Sequence, residues 1–197
     1  MPLRFAAEVP DAPVLVRNGL NQLSARRNPL SERVSDFTAL QIGTPHDVYD
    51  LRADDVAGGR GLSSARRTGV RYLIQAADGP VAAAEVHADS SGQATLLANI
   101  NYGRFAEATS RALGQLANYA QVRDTSYEVR LLRFSAIPLL AMWLKPDAGG
   151  ADIIYPLAPT PGALEAERPY SEEEFLAAIT PLAVQRAANQ GQQPTVP

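Results

Sequence analysis

The segment of residues 127–157 constrains the fold of this chain more than any other part of the sequence. It holds the densest series of large apolar residues, the only tryptophan, Trp143, and the only lysine, Lys145. Short apolar runs bounded by proline and glycine are typical of strands that are buried on both faces. The segment therefore predicts two or three strands at the centre of the fold. They are interrupted near Pro138, because proline cannot donate to a strand ladder.

Three more strands are predicted earlier in the chain, in the form of an antiparallel meander. Apolar side chains alternate over residues 70–76, and the Asp78-Gly79 pair that follows is a strong hairpin signal. Residues 80–88 then return as a second strand, and residues 94–100 form a third. Strands joined by turns this short pair with their neighbours in sequence, which predicts a meander.

Helical periodicity predicts helices before and after these strands. The clearest prediction covers residues 105–120, where apolar residues recur every three or four positions and form one stripe. Weaker helical spacing is present in residues 14–27 and 31–42. Near the C-terminus, Ser171 and Glu174 have the spacing of a capping box and predict the start of a last helix, with Pro181 inside it or at a new first turn.

The order of these elements predicts an α+β fold. It comprises short N-terminal helices, a three-strand meander, a helix, two or three further strands and a C-terminal helix. We assign residues 1–13 to an irregular N-terminal arm, residues 14–189 to a single domain, and the Gln-rich residues 190–197 to a disordered tail. In element order the chain resembles the type III secretion chaperones and related small adaptor folds.

Composition excludes several classes of protein. The chain has no cysteine, so it can form no disulfide, no cysteine-based zinc site and no thiol nucleophile. Its net charge of −3 argues against nucleic-acid binding. No apolar run approaches the length of about eighteen residues that a transmembrane helix needs. The N-terminus lacks the apolar stretch of a signal peptide, so we predict a cytoplasmic protein with no membrane association. The preference for arginine over lysine is typical of a GC-rich bacterial genome.

His87 and Glu85 are the first candidate site residues. They lie two positions apart on the predicted strand of residues 80–88, so their side chains share a face. A histidine beside a carboxylate could transfer protons or hold a metal. A polar stripe that faces solvent explains the same spacing, and we favour it because short motifs give many false matches.

Residues 43–68 form the second candidate region, rich in glycine, aspartate, serine and arginine. Unstructured loops of this length are uncommon, so the region either contains a short strand near residues 48–51, which we favour, or is a mobile functional loop. Its histidine and aspartates lack the spacing of a calcium loop. Arg66 and Arg67 could form an anion-binding patch with Arg26, Arg27, Arg60 and Arg71, although a solvated surface is the simpler interpretation. The sequence predicts no cofactor and no metal site.

The function expected from the sequence is that of a non-enzymatic cytoplasmic interaction protein, similar to an adaptor or chaperone. No catalytic motif is present, and the apolar content is generous for one helix over one sheet. The second face of such a sheet needs either another covering layer or a partner, so we predict a protein partner or self-association. The alternative is an enzyme or small-ligand-binding protein with a site near His87, Glu85 and residues 43–68, to which Arg66 and Arg67 would contribute.

Overall fold

A computed structural model describes residues 3–89 and 91–190 of the chain. The strands are β1 (Leu3–Arg4), β2 (Gln41–Leu51), β3 (Arg66–Ala76), β4 (Gly79–Ala88), β5 (Ala94–Asn101), β6 (Tyr127–Phe134), β7 (Leu139–Pro146) and β8 (Ile153–Pro156). The α-helices are α1 (Ala12–Ser24), α2 (Ala53–Ala57), α3 (Arg104–Leu116), α4 (Ala120–Arg123) and α5 (Glu172–Gln190). Two short 3₁₀ helices span Phe37–Ala39 and Leu62–Ser64. The predicted disordered tail lies outside the described residues, except for Gln190, the last residue of α5.

All eight strands form one sheet, which confirms the predicted α+β fold. Seven of them follow one another in the order β5-β4-β3-β2-β6-β7-β8, and β1 pairs with β6. Pairing is antiparallel except where β6 meets β2 and β1, with which it runs parallel. The predicted meander is present as β3, β4 and β5, and β2 extends it by a fourth antiparallel strand.

Helices cover both faces of this sheet. The cross-strand row of Val70, Asp47, Arg130, Trp143 and Ile154 marks one face, because side chains of directly paired residues point the same way. Apolar clusters on that face pack against α1 at the β3–β5 end and against α2 and α5 at the β6–β8 end. The opposite face packs against α3. The second covering layer is therefore present within the chain, and it accounts for the generous apolar content.

Helix α1 begins at Ala12, before the predicted start of the domain, and Gly19 lies at its contact with β5. A Cβ atom at this position would overlap the side chain of Leu97. Glycine costs helix stability but permits close approach of the two elements. The expectation of an irregular arm over residues 1–13 differs from the structure in this respect and in the pairing of β1 with Tyr127 and Glu128 of β6.

The predicted helix over residues 31–42 is wrong. The segment contains turns and the 3₁₀ helix, and β2 begins at Gln41. The Asn28 side chain accepts hydrogen bonds from the backbone N–H groups of Leu30 (2.9 Å) and Ser31 (3.1 Å). Such side-chain bonds compete with helix formation. The apolar residues spaced three apart still reach the core beneath α1, but they do so from turns.

Residues 43–68 contain more regular structure than a loop. Most of β2, all of α2 and a 3₁₀ helix lie within them. The short strand predicted near residues 48–51 is thus present as the end of a longer one, and the mobile-loop alternative is wrong.

The C-terminal half follows the predicted pattern closely. The helix predicted over residues 105–120 is divided into α3 and α4. The capping box at α5 is confirmed: Ser171 N–H donates to Glu174 Oε2 (2.9 Å), and Glu174 N–H donates to Ser171 Oγ (3.2 Å). Pro181 remains inside α5. Trp143 is 3% exposed, as expected from its apolar segment, but β6–β8 lie at one end of the sheet and not at its centre, which is occupied by β2. Within residues 3–89 and 91–190, no helix is long and apolar enough to span a bilayer.

Candidate ligand-binding cavity

A cavity of about 670 Å³ opens on the face of the sheet that α3 covers. It lies between the N-terminal end of α3 and the turn that links β6 to β7. Its volume is within the range of about 300–1,000 Å³ that is typical of small-molecule sites. Its lining combines charged groups from the sheet with apolar side chains from α3 and the β6–β7 turn, so its walls and floor differ in chemistry.

The floor of the cavity comes from a cross-strand row of polar residues. His46 of β2 pairs with Arg71 of β3, which pairs with Glu85 of β4, which pairs with Asn99 of β5. Directly paired residues share a face, so the row crosses four strands on the α3 side. Arg71, Glu85 and Asn99 line the cavity, and Arg133 of β6 joins them there. The site is therefore built by tertiary pairing of residues from four segments.

Glu85 is fixed by Arg133. The Nη2 atom of Arg133 lies 2.5 Å from each carboxylate oxygen of Glu85, and the Glu85 residue is 3% exposed. The interpretation that Glu85 belongs to a solvent-facing stripe is therefore wrong. It is wrong because a partner 48 residues away in sequence supplies the charge that allows burial. His87, by contrast, is exposed, and its Nδ1 atom lies 3.1 Å from the Thr68 carbonyl oxygen.

Arg71 is the most unusual residue of the cavity. It is 3% exposed, and its Nε and Nη2 atoms are buried without a hydrogen-bond partner among the described residues. Burial lowers the pKa of Arg71 to about 10; the negative charge of Glu85 raises it and the positive charge of Arg133 lowers it further. Arginine is almost never fully buried unless it is paired. The free donors of Arg71 are therefore candidates for contact with a ligand.

His46 lies beside Arg71 in the same row but belongs to the core. Its ring meets that of Phe5 edge-on with centroids 5.4 Å apart, and its Nδ1 atom lies 3.4 Å from the Arg71 carbonyl oxygen. Burial lowers the pKa of His46 to about 4; the backbone of Arg71 raises it and the Arg71 charge lowers it. The imidazole is consequently neutral at neutral pH and adds no charge to the floor.

The aspartates near His46 are dispersed into separate ion pairs. Asp47 contacts Arg67 (2.8 Å), Asp55 contacts Arg60 (2.5 Å) and Asp54 contacts Arg52 (3.8 Å). No group of three or more histidine, aspartate or glutamate side chains in the described part of the chain is placed to hold a metal ion. These carboxylates are therefore engaged in separate local ion pairs and form no common site.

The N-terminus of α3 forms one wall of the cavity. Its N-cap residue, Gly103, has φ 148°, a backbone conformation that L side chains rarely adopt, and no side chain of the described residues caps the helix. The first N–H groups of a helix have no partner within it, and the helix dipole makes this end positive. Residues 103–106 line the cavity, and Arg104 is exposed there. The wall therefore adds positive potential to that of the floor.

Sequence reasoning identified one residue of this cavity and missed others. Of the four predicted site residues, Glu85 lines the cavity, whereas His87, Arg66 and Arg67 are not among the described residues that do so. Arg133 was missed, and Arg71 was considered only as one member of a group of arginines that could bind an anion. One pattern in the sequence could have identified them. Each is a charged residue inside an otherwise apolar strand, and both faces of such a strand are covered, so its side chain must face a covering helix.

Comparisons with protein-family models, with curated proteins and with solved structures found no match for this chain. The resemblance to type III secretion chaperones therefore remains one of element order. Functional inference rests on the cavity itself.

Proposed function

We propose that this chain binds a small organic molecule in the cavity between α3 and the β6–β7 turn. One observation carries the proposal: a cavity of about 670 Å³ has buried charged side chains on its floor and apolar side chains on its walls. Small-molecule sites typically combine a mainly apolar lining with a few convergent polar groups, which fix the orientation of the ligand. Among the functions considered from sequence, this one is the small-ligand alternative, with its site moved from His87 and residues 43–68 to Arg71, Glu85 and Arg133.

The walls supply the apolar surface that such a ligand needs. Phe105 and Ala106 come from the first turn of α3, and Ile137 and Leu140 come from the β6–β7 turn and the start of β7. Burial of apolar ligand surface against them contributes roughly 25 cal/mol per Å². The polar floor limits which ligands can gain this energy, because each buried polar group must find a partner.

The protein-interaction function predicted from sequence remains a separate proposal. Its motivation was the apolar content, and the residues concerned, such as Met142, Trp143 and Leu144, are buried in the core. Among the described residues, the exposed large apolar side chains come from α1, β5, the β5–α3 link and α5: Val14, Leu96, Tyr102 and Val184. Protein interaction sites usually present a contiguous apolar patch, so the cavity has the stronger support.

A fragment screen followed by NMR tests the binding function. Neutral, anionic and cationic fragments would be added to ¹⁵N-labelled protein, and amide shifts mapped onto the sequence. We expect hits to shift the amides of residues 103–106 and 135–140. A tryptophan at position 135, on the exposed cavity rim, should block these hits (Ser135→Trp).

The matched control is Ser24→Trp. Ser24 is also an exposed serine, but it ends α1 on the opposite face of the sheet. It should leave the fragment hits unchanged. Hits that persist in Ser135→Trp, or hits confined to other surfaces, would contradict the binding function.

A further inference from the structure

Resting on the binding function proposed above, we propose that the ligand is a monocarboxylate with an apolar body, whose carboxylate is bound by Arg71. Four observations support this class of ligand: the free edge of the Arg71 guanidinium, the net charge of the floor, the position of the α3 N-terminus and the apolar walls. Each restricts the ligand in a different way.

The unpartnered atoms of Arg71 define the geometry of the acceptor. Nε and Nη2 form one edge of the guanidinium, and their N–H bonds on that edge are parallel. Two parallel donors match the two oxygens of a carboxylate in a bidentate pair. A single hydroxyl or carbonyl oxygen of a neutral ligand would leave one of these buried donors unpaired, at a cost of binding energy.

The net charge of the cavity floor matches a ligand with one negative charge. Arg71 and Arg133 are positive, and Glu85, which Arg133 binds, is negative, so the three groups carry a net charge of +1. A monocarboxylate would neutralise them. A phosphate monoester carries about −1.5 to −2 at neutral pH and would leave excess negative charge next to Glu85. Uncompensated charge in a buried site is costly, so the floor favours a monoanion.

The N-terminus of α3 supports the same conclusion independently of the side chains. Helix N-termini bind anions through free N–H groups and the positive end of the dipole. Gly103 brings the backbone of residues 103–106 to the cavity without a side-chain cap. The Ala106 N–H already donates to the Gly103 carbonyl oxygen (3.0 Å), so the N–H groups of Arg104 and Phe105 are the candidates for contact with an anion. The carboxylate would therefore lie between the Arg71 guanidinium and the first turn of α3.

The walls determine the rest of the ligand. Phe105, Ile137 and Leu140 offer apolar surface above the charged floor. An apolar body attached to the carboxylate would bury this surface together with its own, whereas a polar body would have to give up water without compensation. Acids with aliphatic or aromatic bodies are thus the expected ligands.

Isothermal titration calorimetry with matched compounds tests the charge and the head group. The probes are hexanoate, octanoate and phenylacetate, the amides hexanamide and phenylacetamide, and phenyl phosphate. At least one carboxylate should bind about tenfold or more tightly than its amide, since hydrogen bonds to charged groups contribute more than neutral ones. The same carboxylate should also bind more tightly than phenyl phosphate.

Variants of Arg71 test the residue. Arg71→Met should reduce carboxylate affinity by about tenfold or more and remove the preference over the amide. Arg71→Lys keeps the charge but loses the parallel donors, so its affinity should be intermediate. Arg104→Met, which removes an exposed arginine from the cavity lining, is the charge-matched control and should have a smaller effect. Circular dichroism would verify that each variant is folded.

The outcomes separate this inference from the binding function. Amides that bind as tightly as acids, or carboxylate affinity that survives in Arg71→Met, would overturn the carboxylate assignment while cavity binding stands. Tighter binding of phenyl phosphate would overturn it in favour of a phosphate ligand. If none of the six compounds binds although fragments shift the cavity amides, the assignment also fails. If Ser135→Trp fails to block the fragments, the binding function fails instead.

Discussion

Two arginines lie on opposite faces of the sheet and differ in how their hydrogen-bond donors are satisfied. Arg130 of β6 lies on the face covered by α1, α2 and α5, and Arg71 of β3 lies on the face covered by α3. Both come from apolar strands, and both are largely shielded from water: the Arg130 side chain is 16% exposed and the Arg71 residue 3%. Their hydrogen bonding, however, is opposite.

Arg130 has one ionic and two aromatic partners among the described residues. Its Nε and Nη2 atoms donate to the two oxygens of Glu128 at 2.9 and 2.8 Å, which is a bidentate ion pair. Its guanidinium also lies 4.6 Å from the ring centre of Tyr49 and 4.7 Å from that of Trp143. Cation–π contact and a charged hydrogen bond both stabilise such an arrangement. Arg130 is therefore a structural arginine.

Arg71 leaves the same edge of its guanidinium without a partner among the described residues, although it is more deeply buried. A buried charge that folding does not satisfy lowers the stability of the protein. The comparison teaches that burial alone does not identify a functional arginine. The distinguishing property is an unsatisfied bidentate edge on a residue that lines a cavity.

The largest effect is expected from Trp143→Ala. Trp143 packs in the core, stacks with Arg130, and its Nε1 atom donates to Asp152 at 2.9 Å. The free energy of unfolding should fall by about 3–5 kcal/mol, as it does for large core residues replaced by alanine. Urea denaturation followed by circular dichroism measures this, since the variant has no tryptophan.

Tyr102→Ala is the control for this change. Tyr102 is an exposed aromatic residue, and its removal should change stability by only about 0.5 kcal/mol. An equal loss in the two variants would show that the Trp143 cluster does not hold this face together.

The second effect is a pH dependence of stability, which arises from His46 on the same face of the sheet as Arg71. Burial lowers the pKa of His46 from 6.5 to about 4, so between these values the unfolded chain binds a proton that the folded chain does not. Stability should therefore decrease as the pH falls from 6.5 toward 4, by up to about 3 kcal/mol from this group. His46→Gln should remove that part of the pH dependence in urea titrations.

His87→Gln serves as the matched variant, because it removes the exposed histidine and keeps His46. Its unfolding free energy should retain the His46 contribution to the slope. If His46→Gln and the wild type lose stability in parallel from pH 6.5 to 4, His46 is not buried as described.

The smallest effects test the comparison directly, because they should differ in sign. Arg130→Met removes a bidentate ion pair and two aromatic contacts, so the free energy of unfolding should fall by about 2 kcal/mol. Arg71→Met removes a buried, unsatisfied charge and should raise it by about 1 kcal/mol. Urea denaturation without ligand measures both. A decrease of similar size in the two variants would mean that Arg71 is a structural residue as well.

Much of the fold was predictable because it depends on local patterns. Alternation in residues 70–100 determined the meander, and the spacing of Ser171 and Glu174 determined the start of α5. The helix expected over residues 31–42 was predicted wrongly, because turn-forming bonds of the Asn28 side chain override a weak apolar spacing.

The sequence by itself determined which side chains of each strand share a face. Strand periodicity placed Glu85 and His87 together, and the register of the sheet agrees. Only the tertiary structure decided which side chains and which helix pack against that face. Arg133 approaches Glu85 from a strand 48 residues later, and α3 turns the row of Arg71 and Glu85 into the floor of a cavity. The physical reason is that periodicity is a local property, whereas the partner of a buried charge is determined by strand order, which no single segment encodes.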